Sequence, residues 1–396
     1  MSANDNPKTL FLLGAGASHD AGLKTSVGLT REIANHVQED RGFSWDARFS
    51  PALNMAIGAM VGFDSQHGRN AFEGVDVERL FAAIRFLGDR ENLEVAPFVD
   101  RWHPGVEAVG RRGQISPGVA VNLRSSLESG ADPLNDENML GALTQAVEDL
   151  VGTSGSQPVF RDLQRVMLAA LDKSLAVDGK RLGYLTRLLT SSNRVGVVTL
   201  NYDLTIETAS EQLGLAFETG VQQWRGGYEW SWNSSLNVRL LKLHGSLNWF
   251  YEDHAESRLA QKRIIYRPTS GDGDVPGNER VMIFGTGSKL RHDGPFLAMY
   301  QEFQRLLAQR TRLIVIGYSF RDDHVNEVIR RWVNTSPACE IVVIDPALEH
   351  WSPDAPSAGP IFPFYGELHR AAARDSGFTL TSIPQGAAVG LRELFG

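Results

Sequence analysis

The chain has 396 residues, 42% of them hydrophobic and 22% charged, and its 39 basic against 47 acidic side chains give a formal net charge of -8. This is a globular composition with room for one large domain and an insertion, or for two domains, and the acidic balance disfavours general attraction to phosphate backbones or anionic lipid. The one cysteine, Cys339, excludes an internal disulfide and a multi-cysteine zinc site, and no apolar run reaches the roughly 18 residues that a membrane-spanning helix needs.

The first predicted element is the apolar run 10–13, which reads as a buried strand. It ends in Gly14, Ala15, Gly16, Ala17, Ser18 and His19. Glycines at 14 and 16 let a backbone approach a pyrophosphate, and the amides of a following helix start can donate to it. The dinucleotide fingerprint would place a third glycine at 19, where histidine stands; taken alone, the turn is equally well explained as a plain tight turn.

Well over a hundred residues of helical periodicity follow. The clearest helix carries Val77, Leu80, Phe81, Ile84 and Leu87 at three- and four-residue steps, with Asp76 placed to cap it and Gly88 placed to stop it. Further helices are expected around Leu163, Val166, Met167, Ala170 and Leu171, and around Leu182, Leu185, Leu188 and Leu189. The stretch 110–133, rich in glycine, serine and proline, reads as a loop.

The second strand is expected at 195–200, followed by Asn201, Tyr202 and Asp203. An amide and a carboxylate two residues apart can fix a ribose or a water, or can cap the next helix, which is the commoner use. The third strand, 238–243, is interrupted by Arg239 and Lys242 and is followed by His244 and Gly245. An imidazole there is well placed as a general base, although a single histidine is more often a hydrogen-bonded scaffold residue. Residues 268–278 read as irregular. The fourth strand, 313–316, leads to Gly317, Tyr318, Ser319 and Phe320, where Gly317 and Ser319 suit a second phosphate or ribose contact. A helix with Val325, Val328, Ile329 and Trp332 on one side comes next, capped by Asp322 or Asp323. The fifth strand, 341–344, leads to Asp345, which either binds a ribose hydroxyl or ends the strand.

Continuous rather than alternating apolarity in these strands means that both sheet faces are covered. The fold class is therefore α/β: a Rossmann-like parallel sheet with flanking helices and a large helical insertion after the first strand. The core is expected at 1–30 and 190–350, the insertion at 31–189, and a C-terminal tail without an assigned role at 351–396. In open parallel sheets the ligand lies beyond the carboxyl ends of the strands, and all five residue sets fall on that edge.

Together, GAGAS at 14–18, TLNYD at 199–203, LHG at 243–245 and GYSF at 317–320 resemble the sirtuin family, in the same chain order. More closely, the chain resembles the stand-alone sirtuin-like NAD hydrolases of bacterial antiphage defence. GYSFRDDHVN at 317–326, FGTGSKL at 284–290 and the helix at 77–87 resemble patterns of that branch. The resemblance implies that Gly14, Ala15, Gly16 and Ser18 hold the pyrophosphate and nearby ribose of NAD, which is the substrate. It implies that Asn201 and Asp203 orient the nicotinamide ribose and the attacking water, and that His244 is the base. Gly317 and Ser319 contact the adenosine side, with Asp345 a further candidate; His324 and Lys289 receive no role.

A protein-deacylating sirtuin carries a four-cysteine zinc module, which a single cysteine cannot supply; no zinc or other metal is expected. Leu23, Lys24, Thr25 and Ser26 stand where deacylases place a proline, a phenylalanine and an arginine. The resemblance thus implies hydrolysis of NAD to nicotinamide and ADP-ribose, in abortive defence controlled by assembly or a partner. The resemblance points to a homo-oligomer and a HerA-like ATPase, alternatively an Argonaute-type sensor, while the acidic balance and the lack of a long apolar run lead to no expected direct general nucleic-acid binding and no membrane. The single cysteine and the polar start at 1–8 lead to an expected cytoplasmic location. The rival readings are a catalytically silent NAD or ADP-ribose sensor, an NAD-dependent protein deacylase and a dinucleotide-dependent oxidoreductase.

Overall fold

A computed structural model describes residues 8–39, 46–68, 70, 74–99, 102–110, 158–227, 229–233, 235–253, 262–267, 279–285, 294–352 and 363–396. In chain order the first elements are β1 (Thr9–Leu13), α1 (Ser26–Glu39), α2 (Phe49–Gln66), α3 (Val77–Asp89), α4 (Pro104–Gly110), α5 (Pro158–Ser174) and α6 (Thr186–Leu189). Then come β2 (Val195–Thr199), α7 (Thr205–Gln212), β3 (Phe217–Glu218), β4 (Val238–Lys242), β5 (Gly245–Asp253), β6 (Lys262–Tyr266) and β7 (Arg280–Met282). The chain continues through α8 (Phe296–Ala308), β8 (Arg312–Ile316), α9 (Asp323–Thr335), β9 (Cys339–Ile344), α10 (Pro363–Ala372), β10 (Phe378–Ile383) and α11 (Ala387–Phe395). It forms two compact units, Met1–Leu29 with Leu171–Gly396, and Thr30–Ala170.

The first unit is built on a seven-stranded sheet in the order β10-β9-β8-β1-β2-β4-β3, every pair of which is parallel. This is the Rossmann-like α/β architecture, and its faces follow from residue alternation along the strands. Leu10, Leu12, Val198, Leu241, Leu313 and Val315 pack with α8, α9 and α10. Phe11, Leu13, Val197, Leu240, Ile314 and Ile316 pack with the 3-10 segment Gly179–Leu185, α6, α7 and α11. Both faces are covered, hence the near-continuous apolar strands. A second sheet, antiparallel and ordered β6-β5-β7, leaves the main one directly after β4.

Strand register places the carboxyl ends level. Ile383, Ile344, Ile316, Leu13, Thr199 and Lys242 form one row of paired residues across six strands. From β1 the chain moves to β2 on one side, while β8 pairs on the other side. The order therefore reverses between β1 and β8, the kind of crevice where parallel sheets bind ligands.

Three expectations change. The tail 351–396 supplies β10 and α11 to the sheet unit. Residues 171–189, expected within the insertion, belong to the sheet unit as well. There the run expected as an α-helix is mostly a 3-10 helix: Leu182, Leu185 and Leu188, three residues apart, all turn inward, matching three residues per turn.

In the unit Thr30–Ala170, α2 packs against α3 and α4. Asp76 caps α3 by accepting from the Glu78 and Arg79 N–H groups, and Arg79 pairs with Asp64 at 2.8 Å. Gly88 does not stop α3, which runs on to Asp89; it lies against Arg161 Cγ and Phe160 Cβ, where a larger residue would crowd the contact. The expected loop 110–133 lies outside the described residues apart from Gly110, the last residue of α4. The irregular stretch 268–278 and Lys289 also lie outside them. Among the described residues no helix is long and apolar enough to cross a membrane.

Candidate active site

The loops after β8 and β1 meet backbone to backbone. Gly317, at φ +61, lies so close to Gly16 and Ala17 that an added Cβ would overlap their main chain, and a Cβ on Gly14 would come within 2.5 Å of Gly317 O. The Gly14 N–H donates to Ile316 O and the Gly16 N–H to Gly317 O, both at 2.9 Å, and the Ala17 N–H donates to Gly14 O at 3.0 Å. The glycines expected to admit a pyrophosphate are thus occupied in seating one loop on the other, and these three amides are engaged within the protein. Ala15 is exposed and Gly16 and Gly317 are half-buried. Tyr184 donates to Ala17 O at 2.7 Å and fixes the turn from the opposite face. Burial, followed by the charges of Asp203 and Asp20, pushes that phenol well above its ordinary pKa, so it remains a donor.

A side-chain network joins this turn to β2. Asn201 Nδ2 donates to Gly14 O at 2.9 Å and to Ser18 Oγ at 3.1 Å. A carbonyl only accepts, so Gly14 fixes which end of the amide is nitrogen. With both N–H groups engaged, Asn201 Oδ1 is the end left for a ligand, and among the described residues nothing donates to it. Ser18 donates to Asp203 Oδ2 at 2.8 Å, and Asp203 Oδ1 accepts from the Thr205 hydroxyl and N–H. Asp203 therefore starts α7 and holds Ser18 at the same time.

Lys242, which interrupts the apolar pattern of β4, is fully buried beneath that loop. Its ammonium donates to Asp203 O at 2.6 Å, to Tyr202 O at 3.4 Å and to Glu207 at 2.8 Å. Burial pushes the Glu207 carboxyl above its ordinary pKa, and the adjacent ammonium opposes that shift. The pair ties the main chain at 202–203 to β4.

His244 stands at the corner between the two sheets. The Leu243 N–H donates to Thr199 O at 2.9 Å and the Ile283 N–H to His244 O at 3.0 Å. Gly245 turns the chain at φ +88, against Val281, where no side chain fits. The ring is only 2% exposed, and its Nε2 is 3.0 Å from Asp322 Oδ2. Asp322 does cap α9, accepting from the His324 and Val325 N–H groups through its other oxygen. The sequence pattern had revealed the cap alone; the carboxylate's second use needs the fold, which brings residue 322 to residue 244.

Ser319 is half-buried, and among the described residues its hydroxyl has no partner. Asp345 accepts from the Ala347 N–H at 2.9 Å at the end of β9, and burial raises its carboxyl above the ordinary value while that bond opposes the rise. Ala15, Asn201, His244 and Tyr318 each stand two residues beyond the level row. Adjacent strands are about 4.8 Å apart, so β1 and β4 are separated by roughly 10 Å at this edge. Among the described residues no group of three or more His, Cys, Asp or Glu side chains could hold a metal ion.

No curated protein matches the chain. The solved structure described as "Structure of Sir2Tm bound to a propionylated peptide" is 13% identical, and the match covers 99% of this chain and 93% of that one with a TM-score of 0.33. The family model of the SIR2-like domain matches residues 195–350, which leaves the Gly14–Ser18 turn outside the match. The segment carrying TLNYD, LHG and GYSF is thus a match to the SIR2-like domain.

Proposed function

We propose that the chain hydrolyses NAD at the bond between nicotinamide and ribose, releasing nicotinamide and ADP-ribose. The SIR2-like match over 195–350 supports an NAD-linked activity. The observation that carries the finer reading is the Asn201 amide at the carboxyl edge, locked by Gly14 and Ser18 so that its Oδ1 is left without a donor among the described residues. A fixed acceptor there can orient a water or a ribose hydroxyl without reorganising during the reaction.

In this reading Asn201 orients the attacking water, and Ser18 and Asp203 hold Asn201. His244 takes the proton, directly or through a ribose hydroxyl. The residues fit a nucleotide in three respects: Ala15 and half-buried Gly16 line the first turn, the Ser319 hydroxyl makes no hydrogen bond among the described residues, and Asp345 follows β9 at the same sheet edge. Nicotinamide in NAD is already cationic and leaves as a neutral ring, so no acid is needed to protonate it. What remains is to stabilise an oxocarbenium-like ribose and to aim the water.

Constant hydrolysis of NAD would kill the host cell. We therefore place the activity in abortive antiphage defence, gated by self-assembly or by a partner such as a HerA-like ATPase, with an Argonaute-type sensor as the alternative. The test is nicotinamide release from NAD by the purified chain, alone and with such partners. The wild type is expected to release nicotinamide under an activating condition, and His244→Ala and Asn201→Ala to lose at least a hundredfold, the usual range for removing an acid-base group being about 10²–10⁴. Release that survives both substitutions contradicts the reading, and tight NAD binding without turnover under every condition favours a silent sensor.

A further inference from the structure

We propose that Asp322 is the positioning residue of His244: its carboxylate holds the imidazole as the Nε2–H tautomer, so that Nδ1 is the nitrogen that takes the proton. The consequence for turnover rests on the hydrolase reading, whereas the tautomer is argued from the contact with the Asp322 carboxylate. Asp322 and His244 are 5% and 2% exposed and meet at 3.0 Å. An ionised carboxylate can only accept, so the proton in this contact belongs to Nε2. Two main-chain N–H groups at the first turn of α9, and the positive end of that helix, favour the ionised form.

The surroundings hold Asp322 more tightly than a helix cap requires. Its N–H donates to Tyr318 Oη at 3.2 Å, and that hydroxyl lies 3.0 Å from Asn326 Oδ1. Asn326 Nδ2 donates to Phe320 O at 2.8 Å. Between these anchors Phe320 adopts φ 56, a left-handed backbone that a bulky residue keeps only where neighbours enforce it. Tyr300 Oη lies 3.5 Å from Asp322 Oδ1. The turn is thus bent so that one carboxylate caps α9 and also reaches back to the end of β4. Main-chain bonds fix where the imidazole sits, and Asp322 fixes how it is rotated and which nitrogen is basic.

In the step itself, the water oxygen bonds to C1′ of the ribose and one water O–H bond breaks. Its proton goes to Nδ1, and the electron pair of the C1′–N bond goes to the departing nicotinamide. His244 becomes an imidazolium that keeps its Nε2–H on Asp322, whose charge stabilises it.

Asp322→Asn and Asp322→Ser separate this role from capping, because Asn, Ser and Asp are comparable N-caps. Both variants are expected to fold, with kcat for nicotinamide release down on the order of 10²–10⁴-fold and KM changed less than about threefold. Asp323→Asn, an exposed neighbour in the same turn, is expected to match the wild type. The second readout needs no substrate: imidazole nitrogen NMR of the ligand-free protein, with His244 assigned by the signal lost in His244→Gln. The wild type should show the Nε2–H tautomer, and Asp322→Asn, whose oxygen keeps the cap and whose amide N–H then faces Nε2, should shift the ring toward Nδ1–H. A wild-type Nδ1–H tautomer, or an Asn or Ser variant within threefold of wild-type kcat, overturns the proposal. If the wild type releases no nicotinamide under any condition, the hydrolase reading fails, and the tautomer alone decides the place of Asp322.

Discussion

The junctions on either side of β1 solve different problems at the same sheet edge. Toward β8, Gly14, Gly16 and Gly317 press main chain on main chain, and the space where side chains would stand is filled by backbone. Toward β4, Ser18, Asn201, Asp203, Glu207 and Lys242 form a largely buried polar assembly that ties loops together through side chains. Glycine at such an edge is therefore no proof of an open cradle. The chemically informative atoms are those left over once the packing is satisfied, here Asn201 Oδ1 and the Ser319 hydroxyl.

The largest expected effect breaks the first junction. Gly317→Ala must adopt φ +61 and move the backbone of residues 16–17, for an expected loss of more than about 3 kcal/mol from overpacking and left-handed strain together. Gly183→Ala, where nothing lies within 4 Å, should stay within about 0.5 kcal/mol of the wild type. Urea midpoints at constant slope check both, and equal midpoints would mean that the loops are not seated as described.

Lys242→Met attacks the second junction and strands the buried Glu207 carboxylate, with an expected cost of about 3–5 kcal/mol. Lys242→Met combined with Glu207→Leu should recover much of that loss. A double variant no better than the single one would show that the pair's worth lies in the Tyr202 and Asp203 carbonyls it holds.

Ser319→Ala sharpens the comparison from the other direction. Its hydroxyl makes no bond among the described residues, so stability should hold within about 0.5 kcal/mol. Calorimetry should show NAD affinity weakened by about 0.5–1.5 kcal/mol, one hydrogen bond's worth; unchanged affinity removes Ser319 from the nucleotide site.

The smallest effect concerns Asp345. Its folded pKa is raised by burial, so its contribution to stability is present below the unfolded value of about 3.9 and is lost as pH rises through the folded value. Asp345→Asn keeps an acceptor for the Ala347 N–H and removes that loss. The variant should be at least as stable as the wild type at pH 7, and the difference should close as pH falls toward 3. Thermal melts across this range check the sign.

Strands β1, β2, β4, β8 and β9 were legible in sequence to within two residues because burial on both faces leaves continuous apolar runs such as residues 313–316, whereas β3 and the antiparallel strands β5, β6 and β7 were not anticipated. Strand β10 was not: it pairs on one side only, and Thr379, Thr381 and Ser382 interrupt its hydrophobicity. Lys242 read as a break in β4 because its partners, the carbonyls of residues 202 and 203 and the Glu207 carboxylate, lie in another element. Asn201 was legible as a residue type, but its orientation depends on Gly14, 187 positions away. Asp322 read as a cap because local sequence reports what a side chain does to its own helix, and its contact with His244 spans 78 positions.

The central claim is that water cleaves NAD at this edge with His244 receiving its proton. Incubation of NAD with the activated protein in water enriched in oxygen-18, with products read by mass spectrometry, tests it most directly. The expected outcome is one nicotinamide per ADP-ribose, the ADP-ribose carrying one heavy oxygen at C1′, and at least a hundredfold less of both from His244→Ala. Unlabelled ADP-ribose, acyl transfer to the ribose from an acyl-lysine peptide in place of hydrolysis, or NAD that stays bound and intact would contradict it.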